Sequence, residues 1–268
     1  MTRQLEHMRY PQVQAYLERS DAIILPVGTT EVHGPHLPYG TDKLIAQAGA
    51  VLAAEKADSL VAPAFSYTWS GATRSLPGTL TLPVETVIPL VRQLCLACIE
   101  QGFRRIAVLS AHGPDSWTLG LAVRSVYEQT GVAPISFNLF SDTRGLKEPV
   151  VAEMAAREAA SPSFQETSML LAALKILSIE GAADMSAEPL PETPYPAGLD
   201  AVSRTGATAG FYYSDASQHV PMPGSADAVL GRRYLEAAAD AVAAALEALK
   251  TYGPEAEKQA FSWQRLDR

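Results

Sequence analysis

Four short aliphatic runs, Ala22–Val27, Leu60–Phe65, Arg105–Ala111 and Ala133–Leu139, are separated by longer stretches with a different period. Each run has the length of a strand and is bordered by Gly, Pro, Ser or Asp. Between them, Lys43–Lys56, Val84–Gln101 and Ser116–Glu128 space their apolar residues near three and four, as a helix with one buried face does. Strands joined through helices of that length pair in parallel, and the helices then cover both faces of the sheet. The expected fold class is α/β with a mostly parallel central sheet.

Beyond the fourth run, Glu166 opens a further apolar stretch, Thr167–Leu177. Ser186–Gly206 is rich in Pro, Glu and Ala without a period and reads as a long surface loop. Ser225–Lys250 reads as an Ala-rich helix with Ser225 as its N-cap and Val229, Tyr234, Ala237, Val242 and Leu246 on its packing face. No repeat, heptad or linker-like shift divides the 268 residues, so residues 1–268 are read as a single domain. With 47% hydrophobic and 19% charged residues, the chain can form a large core.

A formal charge of -8 without a Lys/Arg cluster argues against general affinity for nucleic acid or anionic membranes, whose phosphates require a positive patch. The first residues lack a basic region followed by an apolar stretch, and no apolar run approaches the ~20 residues that span a bilayer. Cytoplasmic location is expected. The two cysteines, Cys95 and Cys98, fall within helical apolar spacing and read as buried thiols rather than a redox or zinc pair.

The chemistry concentrates after the first run. Glu31, His33, His36 and Asp42 hold two of the five histidines and two carboxylates within twelve residues, where a strand gives way to Gly- and Pro-rich turns. Imidazole with carboxylate suits zinc, manganese or iron. In open parallel sheets ligands gather beyond the carboxyl ends of the strands. His112 follows the third run directly into a turn, so two separate strand ends each offer an imidazole.

The pattern Glu-x-His-Gly-x-His-Leu-Pro-x-x-Thr-Asp over Glu31–Asp42 resembles that of the creatininase family. Its members include creatinine amidohydrolases, formamide deformylases and a peptidase that trims a redox-cofactor precursor. Leu76–Leu82, Val108–Gly113, Glu166–Ser168 and Gly231–Leu235 extend the resemblance over nearly the whole chain. It implies a three-layer α/β/α sandwich and two divalent metal ions (Zn, Mn or Fe) bridged by Asp42, with Glu31 and His112 on one ion and His33 and Glu166 on the other. It also implies an amidohydrolase that opens a small cyclic or non-peptide amide with metal-bound hydroxide, and a homo-oligomer, hexameric or of smaller even number. A carboxylate suits the bridging role because its two oxygens can bind two ions, whereas one histidine nitrogen binds one.

The chain departs from the family where the substrate is handled. Relatives commonly carry His-Ala-Gly five residues before the Glu-Thr-Ser glutamate, and Ser161-Pro162-Ser163 stands there instead, removing the histidine thought to give a proton to the leaving amine. Ser70–Ser75 replaces a Ser-Pro-Glu-His stretch, leaving Ala72 and Thr73 at two ionisable positions. Creatinine is therefore not the expected substrate. Expulsion of an amine still needs an acid, and His219 is the unassigned histidine available for it; His36 is expected to contact substrate or to orient a ligand. Ser70, Thr73, Trp69 and Tyr212 are expected at the substrate, with Tyr67 as a further pocket candidate and Trp117 read as core packing. Asp115 or Ser116 is expected to cap the helix that follows His112. Two rival readings keep the metals: a lyase, cyclase or dehydratase in which no amine leaves, and a metal-binding scaffold without catalysis.

Overall fold

The computed structural model describes residues 2–205 and 209–259. Its strands are β1 (Ala22–Val27), β2 (Leu60–Val61), β3 (Arg105–Ser110) and β4 (Ile135–Asn138), paired in the order β2-β1-β3-β4 with every pair parallel. The helices are α1 (Tyr10–Leu17), α2 (Thr41–Ala57), α3 (Val84–Glu100), α4 (Asp115–Thr130), α5 (Pro149–Ala160), α6 (Phe164–Ile176), α7 (Leu199–Arg204) and α8 (Ala228–Gln259).

Side chains of a strand alternate between faces, and each face of this sheet has its own core. Ile24, Val61, Ala107 and Leu109 pack with residues of α2, α5, α6 and α8, whereas Ile23, Leu25, Val27, Leu60, Ile106 and Val108 pack with α1, α3 and α4. The fold is therefore a three-layer α/β/α sandwich. β1 and β3 are buried along their whole length, and burial of each large aliphatic side chain contributes about 1.5–3 kcal/mol.

The structure corrects several expected boundaries. Two strands are shorter than the aliphatic runs because proline has no amide to donate. β2 stops at Val61, two residues before Pro63, and β4 begins only after Pro134. The last helix begins at Ala228, not at Ser225. Asp227 caps it, accepting hydrogen bonds from the amides of Val229 (2.8 Å) and Leu230 (3.1 Å), and the helix continues to Gln259. The surface loop holds the short helix α7, and its last residue, Gly206, lies outside the described residues. Helices α1 and α5 were not anticipated. Cys95 is buried and Cys98 half-buried, both as free thiols on α3.

The chain runs from β1 outward to β2 and then returns to the other side of β1 as β3. Such a reversal opens a crevice beyond the carboxyl ends of the two strands. Glu31 and His33 follow β1 there, and His112 follows β3.

Candidate metal centre

Helix α2 starts at Thr41, so Asp42 lies in its first turn, where the helix dipole favours a negative charge. Its approach to β1 is close. A Cβ on Gly28 would lie 2.3 Å from the Lys43 amide nitrogen and 2.7 Å from the Asp42 carbonyl carbon. Glu166 lies in the first turn of α6. That helix start is served by Glu158 of α5, whose carboxylate accepts from the amides of Ser163 (2.9 Å) and Gln165 (2.7 Å), so Glu166 is not needed as a cap. Gly231 gives α8 its close seat against α6, for a Cβ there would lie 2.0 Å from the Ser168 carbonyl oxygen.

These elements bring Glu31, His33, Asp42, His112 and Glu166 together. His33 Nε2 lies 3.1 Å from Asp42 Oδ1 and 3.3 Å from Glu166 Oε1. His112 Nδ1 lies 3.0 Å from Glu31 Oε1 and 3.1 Å from Asp42 Oδ2. Each imidazole uses its other nitrogen on a backbone carbonyl: His33 Nδ1 on Glu31 O (3.0 Å) and His112 Nε2 on Trp69 O (3.0 Å). A carbonyl only accepts, so those nitrogens carry the hydrogens. In the neutral tautomer, the lone pairs of His33 Nε2 and His112 Nδ1 are then aimed at carboxylate oxygens. Acceptors facing acceptors call for positive charge between them, whether a proton or a metal ion.

The electrostatics agree. Burial disfavours the imidazolium of His33, but Asp42 and Glu166 outweigh it and raise its pKa well above the ordinary value. Against the same burial, Glu31 and Asp42 raise that of His112. Burial also opposes ionisation of Glu31 and Asp42, yet His112 and His219 hold Glu31 well below the usual carboxylate range, and His33 with His112 lowers Asp42. Three carboxylates thus face two imidazoles. Asp42 Oδ2 is buried and has no hydrogen bond among the described residues.

Potential ligand atoms of Glu31, Asp42 and His112 lie within 4.8 Å of one another, as do those of His33, Asp42 and Glu166, the two groups sharing Asp42. A third group joins Glu31 and His33 to His219. The donor set of imidazole nitrogen and carboxylate oxygen fits zinc, manganese or iron.

A cavity of about 670 Å³ opens onto Glu31, Asp42, His112 and Glu166. Ser70, Thr73, Trp69, Tyr212 and His219, all expected near substrate, line it. The buried Ser70 hydroxyl has no hydrogen-bond partner among the described residues, whereas Thr73 donates its hydroxyl to Glu31 Oε2. His219 Nε2 lies 3.7 Å from Glu31 Oε1, and its ring stands 5.4 Å from each of the rings of His33 and Tyr213. The segment carrying Tyr213 crosses to the turn at Gly71–Ser75, with the Tyr213 amide donating to Ala72 O (2.9 Å).

Three expectations are corrected and one is narrowed. His36 is buried and does not line the cavity, which leaves the other role expected of it, orienting a ligand. Its Nε2 lies 3.0 Å from Thr167 Oγ1, and burial together with the charge of His33 brings its pKa down to about 4. Trp117 is 63% exposed and lines the cavity instead of packing in the core. Tyr67 is exposed but does not line it. Neither Asp115 nor Ser116 caps α4 with its side chain: Asp115 is buried and accepts from the Ser110 hydroxyl (2.9 Å), and Ser116 donates to Gly113 O (3.0 Å).

The motif gave no sign of three other residues. Asn138, at the end of β4, donates to the carbonyl of His112 (2.7 Å) and so fixes that turn. Asp115 lies beneath it, its pKa pushed up to about 6 by burial against the pull of His112. Arg144 lines the cavity. A buried asparagine at the end of a strand is a legible signal for the first; Asp115 bonds within its own strand-end turn, to Ser110, and Arg144 reaches the cavity only through the fold.

Comparison with known proteins places this geometry in context. A 3-dehydro-scyllo-inosose hydrolase of Thermotoga maritima is 29% identical over 49% of this chain and 42% of its own length. A mycofactocin precursor peptide peptidase of Mycolicibacterium smegmatis is 34% identical over 38% of this chain and 43% of its own. The chain thus matches less than half the length of either relative. A solved structure described as creatininase Mn has the same fold, with a TM-score of 0.70 and 20% identity over 95% of this chain and 100% of that one. The creatininase family model, described as creatinine amidohydrolase, matches residues 6–246, and the chain belongs to that family.

Proposed function

We propose that the protein is a divalent-metal-dependent amidohydrolase that opens a C–N bond of a small cyclic or non-peptide amide other than creatinine. The observation that carries this reading is the pair of ligand groups sharing Asp42, each imidazole fixed by a backbone carbonyl so that its free nitrogen faces carboxylates. Glu31, Asp42 and His112 would hold one ion, and His33, Asp42 and Glu166 the other, with Zn, Mn and Fe all suited to the donors. When bound, two such ions would supply the means to lower the pKa of water towards neutrality and to polarise a carbonyl oxygen.

The chain's own residues do the rest. Thr73 orients Glu31, while Trp69 O and Asn138 hold His112 in place. The free Ser70 hydroxyl can meet a polar atom of the amide, and Trp69, Trp117 and Tyr212 offer aromatic faces to a planar group. His219 gives a proton from Nε2 to the leaving nitrogen, a role open to it because the Ser161 hydroxyl is held by the Gly224 amide (3.0 Å) and carries no titratable proton. His36 positions its neighbours without touching substrate. The reading also takes the protein as cytoplasmic and, on family grounds, as an even homo-oligomer, hexameric or smaller. No helix among the described residues is long and apolar enough to cross a membrane.

Ser161 at the expected proton-shuttle position also favours a second reading, in which the same centre runs a lyase, cyclisation or dehydration and no amine leaves. Turnover in 18O water after screening cyclic amides, formamides and short peptides separates the two. Hydrolysis places one solvent oxygen in the product; a product free of the label rejects the amidohydrolase reading.

A further inference from the structure

We propose that Arg144 makes this site selective for amides that carry a carboxylate, with its guanidinium holding that carboxylate while the C–N bond lies over Glu31, Asp42, His112 and Glu166. The inference rests on the preceding reading only for the place of the reacting bond. Arg144 is exposed, and it is the sole lysine or arginine lining the cavity. Among the described residues it makes no ion pair and no hydrogen bond, unlike Arg124 and Arg232, each of which is tied to a glutamate one turn along its own helix. An arginine beside a cavity with its donors free is a ready anchor for a planar anion, because its fork of N–H groups matches the two oxygens of a carboxylate. A single guanidinium balances a single negative charge, which favours a carboxylate over a phosphate dianion.

The backbone below Arg144 is held in register with the candidate metal ligands. Arg144 sits in the short 3-10 turn Thr143–Gly145, preceded by Asp142, whose carboxylate accepts from the Asn138 amide (2.7 Å). Asn138 Oδ1 accepts from the amides of Phe140 (2.9 Å) and Ser141 (3.1 Å), and Asn138 Nδ2 donates to His112 O (2.7 Å). One buried asparagine therefore fixes both the turn that carries His112 and the one that leads to Arg144. A substrate gripped at the guanidinium is thereby set at a defined distance from the centre. Phe140 and Trp117 line the same cavity and provide apolar surface within it. The substrate class this describes is an amide with a carboxylate and an apolar or aromatic group.

Isothermal titration of N-formyl-L-phenylalanine and of its neutral methyl ester into the full protein tests the inference, with Arg144→Gln and Arg144→Lys alongside and metal content measured on every sample. The wild type should bind the acid about tenfold more tightly than the ester, the effect of one partly solvated charge-assisted hydrogen-bonded pair. Arg144→Gln should abolish that preference with its metal content and unfolding temperature unchanged, and Arg144→Lys should retain part of it. Equal binding of the two probes, or binding of neither, overturns the proposal. So does a preference that survives Arg144→Gln, which would mean that the carboxylate sits on the metal centre. A protein without metal that loses its preference in Arg144→Gln would refute the metal reading and leave this one standing.

Discussion

Gly28→Ala should damage the fold and the candidate metal centre together. The added methyl would lie 2.3 Å from the Lys43 amide nitrogen and 2.7 Å from both the Asp42 carbonyl carbon and the Lys43 Cα, all of them backbone atoms, whereas ordinary contact begins at 3.4 Å. The start of α2 would have to recede by about 1 Å, since a close-packed interior offers no slack. Overpacking of this kind costs about 1–3 kcal/mol. Asp42 moves with that backbone, although its two oxygens lie 3.1 Å from His33 Nε2 and 3.1 Å from His112 Nδ1 on opposite sides. Metal–ligand distances tolerate only about 0.2 Å, so metal affinity should fall at least as far as it does when ligand-orienting groups are lost, roughly 10–100-fold. Urea unfolding and metal content measured on one preparation give both numbers. Gly40→Ala is the control: it caps the same helix start, yet its Cβ would meet nothing within 4 Å, so it should cost no more than about 1 kcal/mol, the loss of a glycine cap, and leave metal content unchanged. Wild-type stability and metal content in Gly28→Ala would refute the claim that this close approach positions Asp42.

Three further outcomes are expected. His219→Gln should lower turnover by about 10²–10⁴-fold while metal content holds, as for a lost general acid; a parallel loss of metal would instead make His219 a ligand through its group with Glu31 and His33. Asp115 is pushed up to about 6 from an ordinary value of 3.8, so its folded form resists ionisation and its contribution to stability, present below pH 3.8, is lost as the pH rises through 6. Relative to Asp115→Asn, the wild type should therefore lose roughly 2 kcal/mol between pH 4 and pH 7 in denaturant titrations, and parallel profiles for the two would count against it. Burial pushes the thiol of Cys95 up to about 12 and that of Cys98 up to about 11, so iodoacetamide at pH 8 should leave both unmodified in the folded protein and alkylate both after denaturation.

The layered fold was legible because its signals are local. Aliphatic runs and helical spacing marked all four strands and the long helices, and the boundary errors at β2 and β4 arose where Pro63 and Pro134 end the ladder inside a run that is still apolar. Helix α5 escaped notice because its buried stripe is only Val150, Val151 and Met154, too short to show a period. Asp227 displaced Ser225 as a cap because cap choice depends on where the helix first packs. There, a Cβ on Gly231 would lie 2.0 Å from the Ser168 carbonyl oxygen. At the candidate centre, Glu31, His33 and Asp42 were visible as a group because twelve residues hold them. Glu166 needed the family pattern, since nothing near it in sequence refers to the first strand. His36 shares that dense motif, yet it points to Thr167 behind the centre. Asn138 reaches the site from the end of β4 and Arg144 from the turn beyond it, and Trp117 follows a helix face that the turn at His112 aims at the cavity. Those directions are properties of the packed chain, not of any segment of it.

The central claim is that Asp42 is shared by two metal ions, and metal content tests it most directly. Inductively coupled plasma mass spectrometry should be run on protein purified without chelator or histidine tag, beside folded His33→Ala and Asp42→Ala. About two divalent ions per chain are expected in the wild type, the number set by the two ligand groups that meet at Asp42. Asp42→Ala should lose both and His33→Ala at least one. A well-folded wild type that holds no metal even after reloading would contradict the claim.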